Sequence, residues 1–336
     1  MRDESSIIAL LGRTIPSYVG PARAARPSSK NVMLGIGDDA AVVRPSPGRD
    51  WVLSTDSFVE GVHFLARLHP PQAVGYKALA RAVSDLAAMG AAPRYFLLTL
   101  SLPPGRTGSW LDKFARGMAR AARRFGMRLI GGDVSRHSQV VAALTVIGEA
   151  RPGFALTRSG ARPGDALYVT GRLGAAQSGL ELLLSKGARA ISGQRASYSL
   201  KRHLCPDPRL ALAAWLAAKR LASSAMDLSD GLSTDLARLS AAGKVGAVVH
   251  SAALPLGPDN LEQAAALHRA LHGGEDYELL FTVPPRLAPR VPPSFRGVPI
   301  TRIGEITSQR KISLLDAAGR AKPLHPRGWD HFSRSH

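Results

Sequence analysis

The acidic residues of this 336-residue sequence are few, and they are concentrated in short windows beside glycines or apolar runs. The chain has 44 lysine and arginine residues but only 25 aspartate and glutamate residues, which gives a formal net charge of +19. Ten of the acids lie in six windows: Asp38 and Asp39; Asp56; Asp85; Asp133; Asp227 and Asp230; and Glu275, Asp276 and Glu278. Carboxylates that meet at one site repel one another unless cations bind between them.

This set of carboxylates predicts bound magnesium ions. Mg²⁺ takes oxygen ligands and is usually held by one or two carboxylates together with phosphate oxygens and water. The windows therefore indicate magnesium–nucleotide chemistry with more than one metal ion. A single aspartate in a turn or at a helix cap needs no metal, so the interpretation depends on the set. For Asp85, which shares a helix face with Lys77 and Arg81, an ion pair with Arg81 is the alternative.

Several common catalytic motifs are absent from the sequence. It has no P-loop lysine motif, no protein-kinase catalytic loop and no nucleophile elbow. Residues 35–40 match a loose dinucleotide-binding pattern, and Asp56 follows at about the spacing of the ribose acid in that fold. Two carboxylates in the turn would repel a pyrophosphate, however, and a strand-like run follows where the helix should begin. We therefore discount a dinucleotide site.

The elements that must position these acids alternate between short apolar runs and longer helical stretches, which predicts an α/β (α+β) fold. Strands are expected at residues 51–54, 95–102, 128–130, 140–147, 166–170, 245–250, 278–283 and 300–303. Helices are expected at residues 73–89, 109–125, 175–185, 209–221, 232–241 and 261–271. Gly90 and Gly126 are predicted to end two helices in the left-handed conformation. Turn residues near 150–165 predict two domains, 1–150 and 151–336.

Composition excludes several classes of protein. The single cysteine, Cys205, excludes an internal disulfide and argues against a cysteine-based zinc site. No apolar run approaches the roughly 18–20 residues of a membrane span, and the first residues do not resemble a signal peptide, so we expect a cytoplasmic protein. The positive charge raises nucleic-acid binding as a distant alternative. Its densest patch, residues 116–128, suits a solvated helix face instead.

Read in order, the acidic windows and their neighbours form a series of motifs along nearly the whole chain. They are Gly-Ile-Gly-Asp-Asp-Ala-Ala (35–41), Ser-Thr-Asp (54–56), Glu-Gly-Val-His-Phe (60–64), Ser-Asp-Leu-Ala-Ala-Met-Gly (84–90), Gly-Gly-Asp (131–133), Thr-Arg-Ser-Gly-Ala (157–161), Asp-Leu-Ser-Asp-Gly-Leu (227–232), Gly-Gly-Glu-Asp-Tyr-Glu-Leu (273–279) and Gly-Trp (328–329). This series resembles the thiamine-monophosphate kinase family. The wider superfamily includes aminoimidazole-ribonucleotide synthetase and selenide water dikinase.

The resemblance implies a two-domain fold of the aminoimidazole-ribonucleotide synthetase type. The N-terminal domain would bind ATP and Mg²⁺ and form a homodimer through its sheet. The C-terminal α/β domain would complete the nucleotide and substrate site. The implied reaction is ATP-dependent phosphorylation of thiamine monophosphate to thiamine diphosphate. The substrate phosphate is its own nucleophile, so we expect direct in-line transfer without a catalytic side chain.

The resemblance also implies roles for individual residues. The implied Mg²⁺ ligands are Asp39, Ser54, Thr55, Asp56, Asp85, Asp133, Asp227 and Asp230. The implied ATP contacts are Gly132, Asp133, Arg158 and Ser229. The implied substrate contacts are His63, Glu275 and Trp329, although a structural role would be the simplest interpretation of His63 and Trp329 alone. The nearest alternative is a selenide water dikinase, which usually has a reactive cysteine in a glycine-rich N-terminal segment that has none here.

Overall fold

The structure, a computed structural model, describes residues 2–17, 31–36, 40–191, 197–257 and 262–332. The chain divides into two compact units: the N-terminal unit contains residues 1–86 and 91–153, and the C-terminal unit contains residues 87–90 and 154–336. Both units combine helices with a β-sheet, which confirms the predicted α/β class.

The N-terminal unit is built around a four-stranded sheet. Its elements are α1 (Glu4–Thr14), β1 (Val32–Leu34), β2 (Val42–Val43), β3 (Asp50–Val59), α2 (Pro71–Ala88), β4 (Ala92–Leu102), α3 (Ser109–Phe125), β5 (Arg128–Arg136) and β6 (Val141–Ala150). The main sheet has the order β3-β6-β4-β5 and is antiparallel except for the parallel pair β4 and β5. β1 and β2 form a separate antiparallel pair.

Helices α2 and α3 pack against each other with their backbones in close contact. A Cβ atom on Gly75 would lie 2.0 Å from the carbonyl oxygen of Phe114, and one on Gly117 would lie 1.9 Å from that of Gln72. Glycine is therefore required at both positions. Gly126 ends α3 at φ 70°, and Gly90 has φ 67°, which confirms the left-handed glycines predicted there.

The C-terminal unit is built around an eight-stranded sheet. Its elements are β7 (Ala166–Thr170), α4 (Ala175–Lys186), α5 (Tyr198–Leu204), α6 (Leu210–Ala218), β8 (Ser224–Leu228), α7 (Leu232–Gly243), β9 (Gly246–His250), α8 (Gln263–His272), β10 (Glu278–Val283), β11 (Ser294–Phe295), β12 (Val298–Thr307), β13 (Ile312–Leu315) and β14 (Ala321–Pro323). The order is β14-β13-β9-β12-β7-β10-β8, with β11 paired to β12. Side chains such as Leu236 and Leu280 form one apolar cluster, and Leu216 and Phe281 belong to another.

Three of the acids lie inside strands although they fall outside the predicted strand bounds. Asp56 lies beyond the strand predicted at 51–54, but β3 continues to Val59. Asp133 lies beyond the strand predicted at 128–130 but within β5, and Asp227 lies within β8, where no strand was predicted. The sheet pairings of these strands extend beyond their apolar runs, so apolar content alone underestimates their length.

Helix α2 is buried more completely than its sequence pattern predicts. The expected polar face contained Lys77, yet this residue is only 1% exposed. The opposite face, which includes Leu79, Val83 and Leu86, is fully buried. A helix covered on several sides buries even its long polar side chains.

The structure bears on two classes that composition raised, membrane proteins and nucleic-acid-binding proteins. No helix in the described part of the chain is both long and apolar enough to span a membrane. The basic patch at residues 116–128 lies on the solvent-facing side of α3 and at the first residue of β5. Its arginines are all exposed: Arg116, Arg120, Arg123, Arg124 and Arg128.

Candidate functional site

In the N-terminal unit, oxygen donors from β3 and α2 meet on one face of the sheet. The Ser54 hydroxyl donates a hydrogen bond to the Asp85 carboxylate. Two residues further along the same face, Asp56 Oδ1 lies 3.4 Å from Arg81 Nη2. Residues two apart in a strand share a face, which is why Ser54 and Asp56 both point towards α2. The structure thus brings three of the predicted metal ligands into one group.

His63 lies next to this group through an aromatic neighbour. Its ring stacks on Phe58 at 5.7 Å between centroids, and the Arg81 guanidinium lies 5.2 Å from the centre of the same Phe58 ring. The backbone N–H of Val59 donates to His63 Nδ1 at 3.0 Å. A neutral imidazole that accepts at Nδ1 carries its proton on Nε2, so His63 has a defined donor atom.

Two other predicted ligands are not part of this group. Thr55 lies on the opposite face of β3, where its hydroxyl accepts a hydrogen bond from Thr145 at 3.3 Å. Its side chain therefore points away from Ser54 and Asp56. Asp39 lies outside the described residues.

Gly132 and Asp133 lie at the edge strand β5, beside a large apolar cavity. Gly132 has φ 151°, and a Cβ atom there would lie 1.9 Å from the carbonyl oxygen of Leu98, so no larger residue fits. Asp133 is exposed and lines a cavity of about 800 Å³ whose other walls include Leu97 and Ile147. Exposed backbone and a carboxylate next to an apolar cavity can hold the polar and apolar parts of one ligand.

In the C-terminal unit, the buried acid Asp235 binds the backbone of the loop after β8. The backbone N–H groups of Ser229 and Asp230 both donate to Asp235 Oδ2 at 3.0 Å. Asp235 is fully buried, and Arg238 pairs with it at 2.9 Å and also with Asp230. Burial raises the pKa of Asp235 to about 6, and the nearby Asp230 charge adds to the effect. Asp235 thus orients the loop that carries the predicted ligand Asp230 and the predicted ATP contact Ser229, whereas the predicted ligand Asp227 is buried within β8.

The C-terminal Gly-Trp motif lies directly on the same loop. The Trp329 N–H donates to the carbonyl of Asp230 at 3.0 Å, and the Gly328 N–H donates to Thr234 Oγ1 at 3.0 Å. A Cβ atom on Gly328 would lie 1.8 Å from the Asp230 carbonyl oxygen. Gly328 is therefore required for the approach that places Trp329, a partly exposed side chain, beside Asp230.

The segment from Glu275 to Glu278 has an unusual backbone and several buried partners. Glu275 has φ 68° and Tyr277 has φ 49°, conformations that cost non-glycine residues roughly 1–3 kcal/mol each. Glu275 Oε2 lies 3.3 Å from His203 Nδ1, and Glu278 is fully buried between Arg202 and Arg209. Such a backbone persists only where its surroundings determine it.

Asp276, within this segment, caps the N-terminus of α4. Its two carboxylate oxygens accept hydrogen bonds from the N–H groups of Gly174 at 2.6 Å and Ala176 at 3.0 Å. Burial raises the pKa of Asp276 to about 7, although these two hydrogen bonds favour the ionised form. The carboxylate serves the fold, because both of its oxygens are used inside the unit.

Arg158, the remaining predicted ATP contact, is an exposed residue on a single 3-10 turn, Arg158–Gly160. The turn is fixed by close packing, since a Cβ atom on Gly160 would lie 1.8 Å from the carbonyl oxygen of Ser223. The guanidinium is therefore accessible to an anion while its backbone is held in place.

The predicted magnesium sites require oxygen atoms that lie close enough together to bind one ion. Among the described residues, no three histidine, cysteine, aspartate or glutamate side chains lie close enough together to hold a metal ion by themselves. The Ser54, Asp56 and Asp85 group offers only oxygen atoms. Magnesium is usually held by one or two carboxylates and completed by phosphate oxygens and water, so this donor set fits Mg²⁺ bound together with a nucleotide.

The sequence did not single out several residues that contact the acids of the C-terminal unit. They are Arg202, His203, Arg209, Asp235 and Arg238. One signal could have indicated Asp235, since an acid in the first turn of a helix can accept from free N–H groups of the preceding turn. No local pattern could have indicated Arg202 or Arg209, because their partner Glu278 lies about 70 residues later in the chain.

The chain matches two protein families in consecutive regions. Residues 37–150 match the N-terminal domain of AIR synthase related proteins, and residues 162–317 match their C-terminal domain. Thiamine-monophosphate kinase of Escherichia coli strain K12 is 41% identical over 313 residues, which cover 92% of this chain and 94% of the relative.

Solved structures show the same similarity in three dimensions. Thiamine-monophosphate kinase from Stenotrophomonas maltophilia K279a has a TM-score of 0.78 at 36% identity and covers 87% of this chain and 93% of its own. A structure described as AaThiL complexed with AMPPCP and TMP has a TM-score of 0.74 at 32% identity and covers 99% of both chains.

Proposed function

The chain belongs to the thiamine-monophosphate kinase family of AIR synthase related proteins, and we propose that it transfers the γ-phosphate of ATP to thiamine monophosphate, forming thiamine diphosphate. The observation that carries the proposal is the similarity over 99% of both chains to a protein bound to AMPPCP and TMP. The oxygen-donor group at Ser54, Asp56 and Asp85 supports it independently, because its chemistry suits a magnesium nucleotide.

The proposed metal ligands are the eight that the resemblance implies: Asp39, Ser54, Thr55, Asp56, Asp85, Asp133, Asp227 and Asp230. Magnesium ions bound there would neutralise phosphate charge and align the reacting groups. That neutralisation matters because two unit charges 4 Å apart repel by about 4 kcal/mol at an effective dielectric constant of 20.

The chain's own residues position the substrates and need not remove a proton. A phosphate monoester is already largely ionised at neutral pH, so it can attack without a base. Gly132 is exposed on edge strand β5, so its backbone is accessible to a phosphate, and Arg158 and Ser229 offer a cation and a hydroxyl for ATP. His63, Glu275 and Trp329 are the proposed contacts to the thiamine substrate. We therefore propose direct in-line transfer without a phosphorylated enzyme.

We also propose that the protein forms a homodimer and that its two domains have different roles. The N-terminal unit presents an exposed sheet face on which Leu53 is 58% exposed, and β3 is an edge strand of that sheet. Both features support a homodimer formed through this sheet. Residues 1–150 would bind ATP and Mg²⁺ and dimerise, and residues 151–336 would complete the site. A cytoplasmic location agrees with a chain that has one cysteine.

The proposal is tested by incubating the full-length protein with ATP, Mg²⁺ and thiamine monophosphate and separating the products. We expect thiamine diphosphate and ADP in equal amounts. Absence of thiamine diphosphate would contradict the proposed reaction. A rapid-quench experiment with labelled ATP then tests the direct step: a phosphorylated side chain that forms and decays during turnover would contradict it.

A further inference from the structure

The acids in the segment from Glu275 to Glu278 are bound to three helical elements of the C-terminal unit: α5, the N-terminus of α4 and Arg209, the N-cap residue of α6. Glu275 Oε2 lies 3.3 Å from His203 Nδ1 on α5. Asp276 accepts from the N-terminus of α4. Glu278 Oε1 accepts from Arg202 Nη2 at 2.9 Å, and Glu278 Oε2 accepts from Arg209 Nε at 2.5 Å. The segment is thus tied to three helices through its side chains.

The backbone of the segment is held by Arg202 and by the end of β8 with the loop that follows it. Arg202 Nη2, which binds Glu278, also donates to the carbonyl of Asp276 at 2.8 Å. The N–H of Glu275 donates to the carbonyl of Ser229 at 2.7 Å, and that of Tyr277 donates to Leu228 at 2.8 Å. The left-handed residues Glu275 and Tyr277 therefore lie on either side of the carbonyl that Arg202 holds.

These contacts involve charged or polar side chains, whose burial without partners costs free energy. Arg202 is 8% exposed, His203 is 1% exposed and Glu278 is fully buried. Buried ion pairs contribute little net stability compared with apolar residues of similar volume, so packing alone does not account for them. What they achieve is a defined direction for the Glu275 side chain, which remains partly exposed at 23%.

We infer that Arg202, His203 and Arg209 are positioning residues for the thiamine substrate. Together with Glu278 they form a buried support, the Glu275 brace, that fixes the left-handed backbone and aims the Glu275 carboxylate. The inference rests on the proposed function, in which Glu275 contacts the organic part of thiamine monophosphate. A carboxylate held in one direction suits the amino group of the pyrimidine ring or the thiazolium cation of that substrate, not its phosphate.

The test compares the Michaelis constants for the two substrates in four variants of the full-length protein. Arg202→Gln and His203→Leu remove brace contacts, and His203→Gln retains a side-chain donor. Arg269→Gln is the matched control, because Arg269 also binds a glutamate of this unit, Glu181, at 2.6 Å. We expect Arg202→Gln and His203→Leu to raise KM for thiamine monophosphate about 10-fold. KM for ATP should stay within a factor of two, and His203→Gln should recover most of the loss.

Glu275→Gln provides a second measurement if a brace variant fails to fold, since Glu275 is partly exposed. It should raise KM for thiamine monophosphate by itself, and adding His203→Leu to it should have little further effect. Unchanged KM values in Glu275→Gln, or equal losses for both substrates in the brace variants, would overturn the inference alone. A wild-type protein that forms no thiamine diphosphate would overturn the proposed function and this inference with it.

Discussion

The acids of the two units are used in different ways. In the N-terminal unit, Asp56, Asp85 and Asp133 are partly or fully accessible, and Asp133 lines an open cavity. In the C-terminal unit, Asp235 and Glu278 are fully buried, and their oxygens accept hydrogen bonds from the protein itself. The first set leaves oxygen atoms accessible, whereas the oxygen atoms of the second set bind backbone N–H groups or buried side chains of the protein.

The difference shows that acids in similar sequence windows have different energetic roles. An accessible carboxylate keeps much of its hydration, so its removal should affect the ligand more than the fold. A buried carboxylate between arginines leaves uncompensated charges when it is removed, so its loss should affect the fold first. Stability and activity measured on the same variants therefore separate the two groups.

Glu278→Ala should have the largest effect, on stability. It leaves Arg202 and Arg209 buried without their shared carboxylate, which should lower the free energy of unfolding by about 3–5 kcal/mol. Denaturant unfolding followed by tryptophan fluorescence measures the change. The counterpart in the N-terminal unit is Asp56→Ala, which loses a part-exposed pair with Arg81 and should cost about 1 kcal/mol or less. Equal losses in the two variants would remove the distinction.

Asp133→Asn should have the opposite profile. We expect turnover of thiamine monophosphate to fall at least about 100-fold, or about 2.7 kcal/mol, because a proposed ligand oxygen loses its charge. The thermal unfolding midpoint should not change, since Asp133 is exposed. Asp112→Asn, in the same unit and paired with Arg2, is the control and should retain activity. Near-normal turnover in Asp133→Asn would exclude Asp133 from the metal ligands.

Gly328→Ala tests whether close backbone packing positions the C-terminal ligand loop. The new methyl group would collide with the Asp230 carbonyl, which should cost about 1–3 kcal/mol and displace Trp329. Thermal unfolding and the KM for thiamine monophosphate should both change. Gly105→Ala is the control, because a Cβ atom there has no neighbour within 4 Å. If the two alanine variants behave alike, the close approach is not needed.

The most gradual expected effect is a pH dependence from Asp276. Its pKa is raised from 3.8 to about 7 by burial, so the folded protein keeps a proton that the unfolded chain has lost. Stability should therefore fall as pH rises from about 4 to 7, by at most about 1.4 kcal/mol per pH unit. Asp276→Asn cannot ionise, so its unfolding free energy should depend less on pH across that interval. Parallel pH profiles for the two proteins would contradict this assignment.

Local patterns in the sequence predicted many elements well. The strands at residues 166–170 and 278–283 and the helix at residues 109–125 have the expected bounds. Each is a strongly apolar or strongly amphipathic run, for which local preference and burial agree. The strand Ser224–Leu228 and the helix Tyr198–Leu204 were not predicted, since both are short and depend on their neighbours.

The candidate site was only partly predictable, for a related reason. The acidic motifs identified the family and which residues were candidates for chemistry. Lys77 illustrates the limit, since a polar position on a predicted helix face is almost fully buried. The sequence also did not distinguish Glu278, which supports the fold, from Glu275, which remains accessible, although they are three residues apart.

By itself, the sequence determined the residue types: the acids, the glycines beside them and the apolar runs that became strands. Only the tertiary structure decided what each acid does. The role of a carboxylate depends on which distant donors reach it and on how much water it retains. Arg202 and Arg209 reach Glu278 from about 70 residues away, whereas Asp133 stays exposed on its strand. Such long-range contacts leave no periodic pattern in the sequence.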